Sequence, residues 1–167
     1  MSNPSARSKP KLRKRIPDGK LLDATNWKLL DALQADARLS FHELGRRVGL
    51  SAPAVAERVR RLELAGVIAG YRALVPRARV GLPIVAFIRL LGMNNERYYE
   101  RMQAAVNAMP RVIEAHHVAG DDSFILKVAA ADVQELEHVI AQLTRLGRSV
   151  TSIVLFTLLT RDAVREP

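Results

Sequence analysis

Residues 39–67 read LSFHELGRRVGLSAPAVAERVRRLELAGV, and this stretch decides the first half of the fold because it writes two short helices with their start and stop signals. Ser40 is a natural N-cap, and Glu43 three residues on completes an S-x-x-E capping box, so a helix starts at about Phe41. Leu44 and Val48 give it one apolar stripe, and Gly49 supplies the permissive backbone of a helix C-terminus. Ser51 then caps a second helix, with Pro53 in its first turn, where a missing N–H costs little, and Gly66 closing it. Val55, Val59 and Leu62 recur at i, i+4 and i+7 and commit one face of this helix to packing. The opposite face carries Pro53, Ala54, Glu57, Arg60 and Arg61, with Arg58 at its flank. Two helices joined by a tight Gly-containing turn, the second with small residues first and arginines later, form the pattern of a helix-turn-helix whose second helix enters a DNA major groove. Ser51, Pro53, Ala54, Glu57, Arg58, Arg60 and Arg61 are the DNA-contact candidates: Pro53, Ala54, Glu57 and Arg61 toward base edges, Arg58 and Arg60 toward phosphates.

Charge follows the same division. Residues 1–79 hold 17 Lys and Arg against 7 Asp and Glu, a surplus of ten, while residues 80–167 hold 9 against 10. The first twenty residues, MSNPSARSKPKLRKRIPDGK, are rich in Ser, Pro and basic residues and almost without apolar ones, so they read as a disordered arm suited to DNA phosphates. A further helix is expected from Leu22 to Ala37, capped by Asp23, with Leu22, Leu29, Leu30 and Leu33 on one side and Trp27 off that stripe. After Gly66, the run from Val67 to Val75 reads as a strand, the wing or connector of a winged helix-turn-helix. Residues 76–83, PRARVGLP, have the composition of a linker.

The remaining chain alternates in kind. Strand-like Ile84–Leu91, helical Asn95–Met109, strand-like Val112–Ala119 and Phe124–Ala130, helical Asp132–Leu146 and strand-like Val150–Thr160 spell β-α-β-β-α-β, the order of a ferredoxin-like unit. The expected class is therefore α+β: a basic arm (1–20), a winged helix-turn-helix (21–75), a linker (76–83) and a ferredoxin-like domain (84–162). In the later helix Val133, Leu136, Ile140 and Leu143 form one apolar stripe. In the first strand both alternating sets are largely apolar, Ile84, Ala86, Ile88 and Leu90 against Val85, Phe87 and Leu91, so the sheet face away from the helices needs a partner. A homodimer joined sheet to sheet is the expectation.

The combination of LSFHELGRRVGLSAPAVAERVRRLELAGVI, AGYRALV, the hairpin VAGDDSFILKV and the last-strand segment SVTSIVLFTLL resembles the Lrp/AsnC (feast/famine) transcriptional regulators over roughly Leu22 to Thr160. The resemblance implies a double-stranded DNA partner, a ligand-binding and dimerising domain, frequent assembly into octamers, and an amino-acid effector that modulates DNA binding or assembly. It also implies an effector held between subunits, near Gly120, Asp121, Asp122 and Ser123 at the hairpin and near Thr151 and Ser152 at the last strand. Where the family commonly has Gly-x-x-Asp-Tyr, this chain has Gly120-Asp121-Asp122-Ser123-Phe124; where the first helix commonly has Asp-Arg, it has Asn26-Trp27. A carboxylate at position 123 would meet the effector's ammonium with a charge-assisted bond, whereas Ser123 offers a neutral hydroxyl of roughly half the strength. Weaker amino-acid binding than in typical relatives, or a preference for a ligand with a different amine environment, is thus expected, unless Asp121 or Asp122 compensates.

Other classes are disfavoured by the residues. With no cysteine there is no disulfide framework and no thiolate metal site, as suits a cytoplasmic protein. No apolar run approaches the roughly 18 residues of a membrane span, and the basic N-terminus lacks a following apolar segment. His116 and His117 are adjacent on a strand and so point to opposite faces, His42 and His138 sit elsewhere, and no phosphate loop or nucleophile triad is written. No enzyme activity, cofactor or metal is expected. The alternatives are a sirohaem-decarboxylase-like enzyme, which shares the architecture but carries a Tyr/His-rich run where this chain has residues 119–124, and a DNA-independent amino-acid sensor.

Overall fold

The computed structural model describes residues 21–91, 95–160 and 163–166; the expected basic arm lies outside them. Two compact units are formed, one from the described residues up to Arg72 with those beyond Arg161, the other from Ala73 to Thr160.

The first unit holds α1 (Ala24–Ala35), α2 (Phe41–Val48) and α3 (Ala52–Leu64). Its boundaries follow from local hydrogen bonding. Asp23 caps α1 by accepting from the Asn26 amide, and Ser40 and Glu43 make the reciprocal capping box at the start of α2. Burial then sorts the side chains as periodicity requires: Leu29, Leu33, Leu44, Val55 and Val59 form one core, with Ile68 packed against it. Trp27 is half-buried. At the end of α3, the Gly66 amide donates to Glu63 O and the Val67 amide to Leu62 O, with Gly66 at φ +70°, the arrangement that satisfies the last carbonyls of a helix.

The wing is not found. Residues 67–75 contain no strand; the part up to Tyr71 bonds back to α3 instead of meeting another strand. The Ile68 amide donates to Leu62 O, and the Tyr71 hydroxyl donates to Glu63 Oε1 at 2.9 Å. Burial, with the Glu63 carboxylate beside it, pushes the Tyr71 hydroxyl up to about 12. A second unforeseen contact lies at the C-terminal end. The Gln34 side-chain amide donates to Val164 O at 2.9 Å and its oxygen accepts from Val164 N at 2.7 Å.

The second unit begins with a 3-10 turn over Arg77–Val80 and continues as β1 (Ile84–Leu91), α4 (Glu96–Ala108), β2 (Val112–His117), β3 (Phe124–Ala130), α5 (Val133–Thr144) and β4 (Arg148–Ile153). The strands form one sheet in the order β2-β3-β1-β4, every neighbouring pair antiparallel. One face packs on the helices through Ala86, Ile88, Leu90, Leu126 and Val128 against Tyr98, Met102, Leu136, Val139 and Leu143. Each such large apolar side chain contributes about 1.5–3 kcal/mol by burial. The stripe of α5 is turned slightly from expectation: Val139 is buried, and Val133 is 56 % exposed.

The other sheet face is less apolar than the alternation suggested. Val85, Phe87, Ile125 and Val150 share it with two ion pairs, Arg89 to Asp122 at 3.4 Å and Lys127 to Glu114 at 3.0 Å. The last strand is also shorter than the expected Val150–Thr160. β4 pairs with β1 in the register Ala86 to Ile153, and Val154 N makes a final bond to Val85 O at 2.8 Å. Continuing that register brings Phe156 opposite Pro83, which has no N–H to give, so pairing stops.

Candidate functional site

The face of α3 opposite the packing stripe is accessible. Ser51, Pro53, Arg60 and Arg61 are exposed, and Ala54, Glu57 and Arg58 are half-buried. Ser51 Oγ caps the helix by accepting from the Ala54 amide at 3.4 Å. Glu57 is the electrostatic centre of this face. Its Oε2 and Oε1 accept from Arg60 Nε and Nη2, both at 2.9 Å, and Oε1 also accepts from Arg61 Nε at 2.9 Å. Arg60 first, then Arg61, hold the Glu57 carboxyl down to about 2.

Arg58 is placed differently from its expected phosphate contact. Its Nη1 donates to Asp23 Oδ2 at 2.8 Å and to Asn26 Oδ1 at 3.1 Å. Asn26 is only 3 % exposed, and its Nδ2 donates onward to Leu21 O at 2.7 Å. Arg58 therefore fixes α3 against the N-terminus of α1. The helical spacing of α3 cannot reveal this, since the partners lie 32 and 35 residues away. Asn26 stands where an acidic residue was the expected pattern, and its amide serves both directions of the network.

This arrangement gives a prediction with a pH signature. Arg58→Ala should lower the stability of the first unit by roughly 1–3 kcal/mol, because the buried Asn26 oxygen loses its donor. Arg58, then the Asn26 amide, hold the Asp23 carboxyl below its ordinary value. The contribution of that carboxylate is thus present at neutral pH and is lost as pH falls through the lowered value. Thermal melts of wild type and variant should therefore draw closer in acid without meeting, since the share lost at the Asn26 amide does not titrate, while the salt dependence of non-specific DNA binding stays the same. A salt slope reduced by about 0.9 would return Arg58 to a phosphate.

In the second unit the residues named for an effector do not converge. Gly120, at φ +138°, and Asp121 are exposed at the hairpin tip, and Asp122 is half-buried and paired with Arg89. Ser123 is enclosed by its own chain at 2 % exposure, its amide donating to Leu90 O at 2.8 Å and its carbonyl accepting from Val118 N at 3.1 Å. It is a closing piece of the hairpin in this chain. Ser123→Asp should cost more than the roughly 1–3 kcal/mol of an unsatisfied neutral group, because a carboxylate is deprived of water. Chemical denaturation of the full chain measures it, and undiminished stability would show that position 123 opens to solvent.

Thr151 and Ser152 also separate. Thr151 is in register with buried Ile88 on the helix side, and Ser152 with Phe87 on the open side. β1 lies between β4 and β3, so at about 4.8 Å per strand the two clusters are about 10 Å apart across the sheet. His116 and His117 do point to opposite faces. His117 stacks at 4.9 Å on Phe124, while His116 lies 3.7 Å from Glu114 on the open face.

Two family models match the two units. Residues 22–63 match an AsnC-type helix-turn-helix domain and residues 85–164 an Lrp/AsnC ligand binding domain. The chain belongs to the Lrp/AsnC family. It is 40% identical over 125 residues to a leucine-responsive regulatory protein of Rhizobium meliloti, covering 74% of this chain and 80% of that protein. It is 37% identical over 123 residues to a proline dehydrogenase transcriptional activator of Rhodobacter capsulatus, covering 73% and 80%. Among solved structures, a transcriptional regulator from Neisseria meningitidis in complex with L-methionine superposes with a TM-score of 0.79 at 29% identity, covering 85% of this chain and 95% of that one. As an Lrp/AsnC protein the chain is a DNA-binding transcriptional regulator with a ligand-binding domain. Among the described residues no helix is long and apolar enough to cross a membrane.

Sequence reasoning passed over one residue that the reading head requires. Gly45, inside α2, would place an added Cβ 2.3 Å from Leu50 O, and its own carbonyl accepts from the Leu50 amide at 3.0 Å. The available signal was an isolated glycine inside a helical pattern, which marks a close packing need.

Proposed function

We propose that this regulator, acting in the cytoplasm as a homodimer or a higher assembly of dimers, reads double-stranded DNA through α3 and is modulated by a small amino acid bound between subunits. The exposed face of α3 carries the reading: Ser51, Pro53, Ala54, Glu57, Arg60 and Arg61 converge on one helix face, with Arg58 held behind it. The leucine-responsive name of one relative and the methionine in one solved neighbour support an apolar amino acid as the effector class.

Two features favour an inter-subunit effector site. The hairpin residues Gly120, Asp121 and Asp122 and the β4 residues Thr151 and Ser152 are separated within one chain, so a pocket using both draws one cluster from each of two chains. Beyond β4, Leu155, Phe156, Leu158 and Leu159 are 63–90 % exposed, more contiguous apolar side chains than a lone soluble subunit leaves uncovered. The test is a mobility-shift assay at fixed salt on DNA from immediately upstream of the protein's own coding region, with and without each amino acid, alongside sedimentation of the free protein. A sequence-specific shift altered by an apolar amino acid, from a protein sedimenting as a dimer or larger, is expected. Binding indifferent to DNA sequence, or a monomer, would overturn the reading.

A further inference from the structure

On the helix layer of the second unit, away from both the hairpin and β4, a groove of about 260 Å³ opens between the end of α4 and the flank of α5. Its floor is apolar, with Met109 at the corner after α4 and buried Val139 on α5, and its rim is polar, with Arg111, Glu135, His138 and Gln142. The rim is ordered by bonds that do not use its whole capacity. Arg111 Nε donates to Glu135 Oε1, and Glu135 Oε2 accepts from the Ala131 amide at 2.7 Å, fixing the carboxylate. The guanidinium is thereby held by one nitrogen, and its two terminal nitrogens take no described partner. A planar fork with both terminal N–H groups open and its orientation set by a second residue is the geometry that receives a carboxylate in two parallel bonds.

The other rim groups extend the same recognition. His138 Nδ1 lies 2.8 Å from Gln134 O; a carbonyl can only accept, so Nδ1 donates and Nε2 is the ring nitrogen turned to other partners. Gln142 follows one helical turn after His138 and adds an amide. The cavity is smaller than the roughly 300–1,000 Å³ that holds drug-sized ligands, which limits the occupant to a few heavy atoms.

We infer that this groove is a second small-molecule site that binds a small carboxylate with a short apolar tail, its carboxylate on Arg111 and its tail on Met109 and Val139. Such a ligand comes from two chemical sources, a simple branched carboxylic acid or an α-amino acid, the second adding an ammonium for the Glu135 carboxylate. The site is independent of the effector region at the hairpin and stands whether or not that region binds an amino acid.

The experiment uses the full chain with 13C-labelled methionine methyl groups and titrates 4-methylpentanoate and L-leucine separately. A saturable shift of the Met109 methyl signal is expected with 4-methylpentanoate. L-leucine binding more tightly than 4-methylpentanoate would assign the site to amino acids, and the reverse order to simple carboxylic acids. Gln142 is exposed, so its charge can be changed without disturbing the core. Gln142→Glu should weaken binding roughly tenfold and Gln142→Lys should strengthen it, as a charge beside a bound carboxylate requires. Asp122→Ala, at the hairpin, should leave the Met109 titration unchanged. No saturable Met109 shift with either compound, or one indifferent to the charge at position 142 or abolished by Asp122→Ala, would overturn the proposal.

Discussion

Gly45→Ala is expected to disable the DNA-reading unit, although helix propensity alone predicts the opposite. In an exposed helix interior, alanine for glycine gains up to about 1 kcal/mol. Here the added Cβ would sit 2.3 Å from Leu50 O, 3.4 Å from Leu50 C and 3.7 Å from Ala52 N, all backbone atoms of the turn and of the start of α3. No side-chain rotation relieves such a contact. The turn has to move, yet it is pinned by the bond from Leu50 N to Gly45 O and by Gly49 at φ +73°. Overpacking of this kind costs typically 1–3 kcal/mol and occasionally more, which outweighs the propensity gain and is a large share of the few kcal/mol that hold a small domain together. The expected result is a lowered melting transition of the first unit and loss of specific DNA binding at temperatures where the wild type binds. An unchanged or raised midpoint would show that the turn can give way cheaply.

The same residue illustrates how the chain can and cannot be read. What depends on near neighbours was legible: the Ser40–Glu43 box, the Ser51 cap, the Val55–Val59–Leu62 stripe and the exact span of the first strand follow from spacing that each element carries within itself. What depends on distant partners was not. The apolar run after Gly66 has strand propensity but no strand beside it, and up to Tyr71 it bonds back to α3 instead. The run after Ile153 has the same propensity, and loses its ladder at Pro83. Arg58 belongs by helical phase to the flank of the reading face and is drawn away by Asp23 and Asn26, which the sequence places far upstream. The effector residues were expected at two places, the hairpin and the last strand, of a site between subunits; how far apart the two places lie within one chain emerges only once four strands have been laid in register.

The second large effect is expected at Arg61, and the Glu57 bonds explain why it is Arg61 and not Arg60. Both arginines are about two-thirds exposed, at 65% and 60% for their side chains, and both touch the same carboxylate. Arg60 spends Nε and Nη2 on it, the edge that would grip two acceptors side by side, whereas Arg61 spends only Nε. The terminal nitrogens of Arg61 are left for guanine O6 and N7, the bidentate contact that discriminates a base by about 1–3 kcal/mol. Arg61→Ala should therefore cost about 1–3 kcal/mol on the specific site and much less on random DNA. Glu57, ionised at any working pH because its carboxyl is held near 2, restrains both cations in the free protein, and in the proposed reading its carboxylate would accept from a cytosine amine. Glu57→Ala should accordingly tighten non-specific binding and steepen its dependence on salt, by about 0.9 for each arginine released to a phosphate, while the preference for the specific sequence falls. Fluorescence anisotropy on specific and random duplexes across a salt series measures all three quantities. Equal losses of Arg61→Ala on the two duplexes would assign Arg61 to the backbone, and a weaker non-specific affinity for Glu57→Ala would remove the restraining role of the carboxylate.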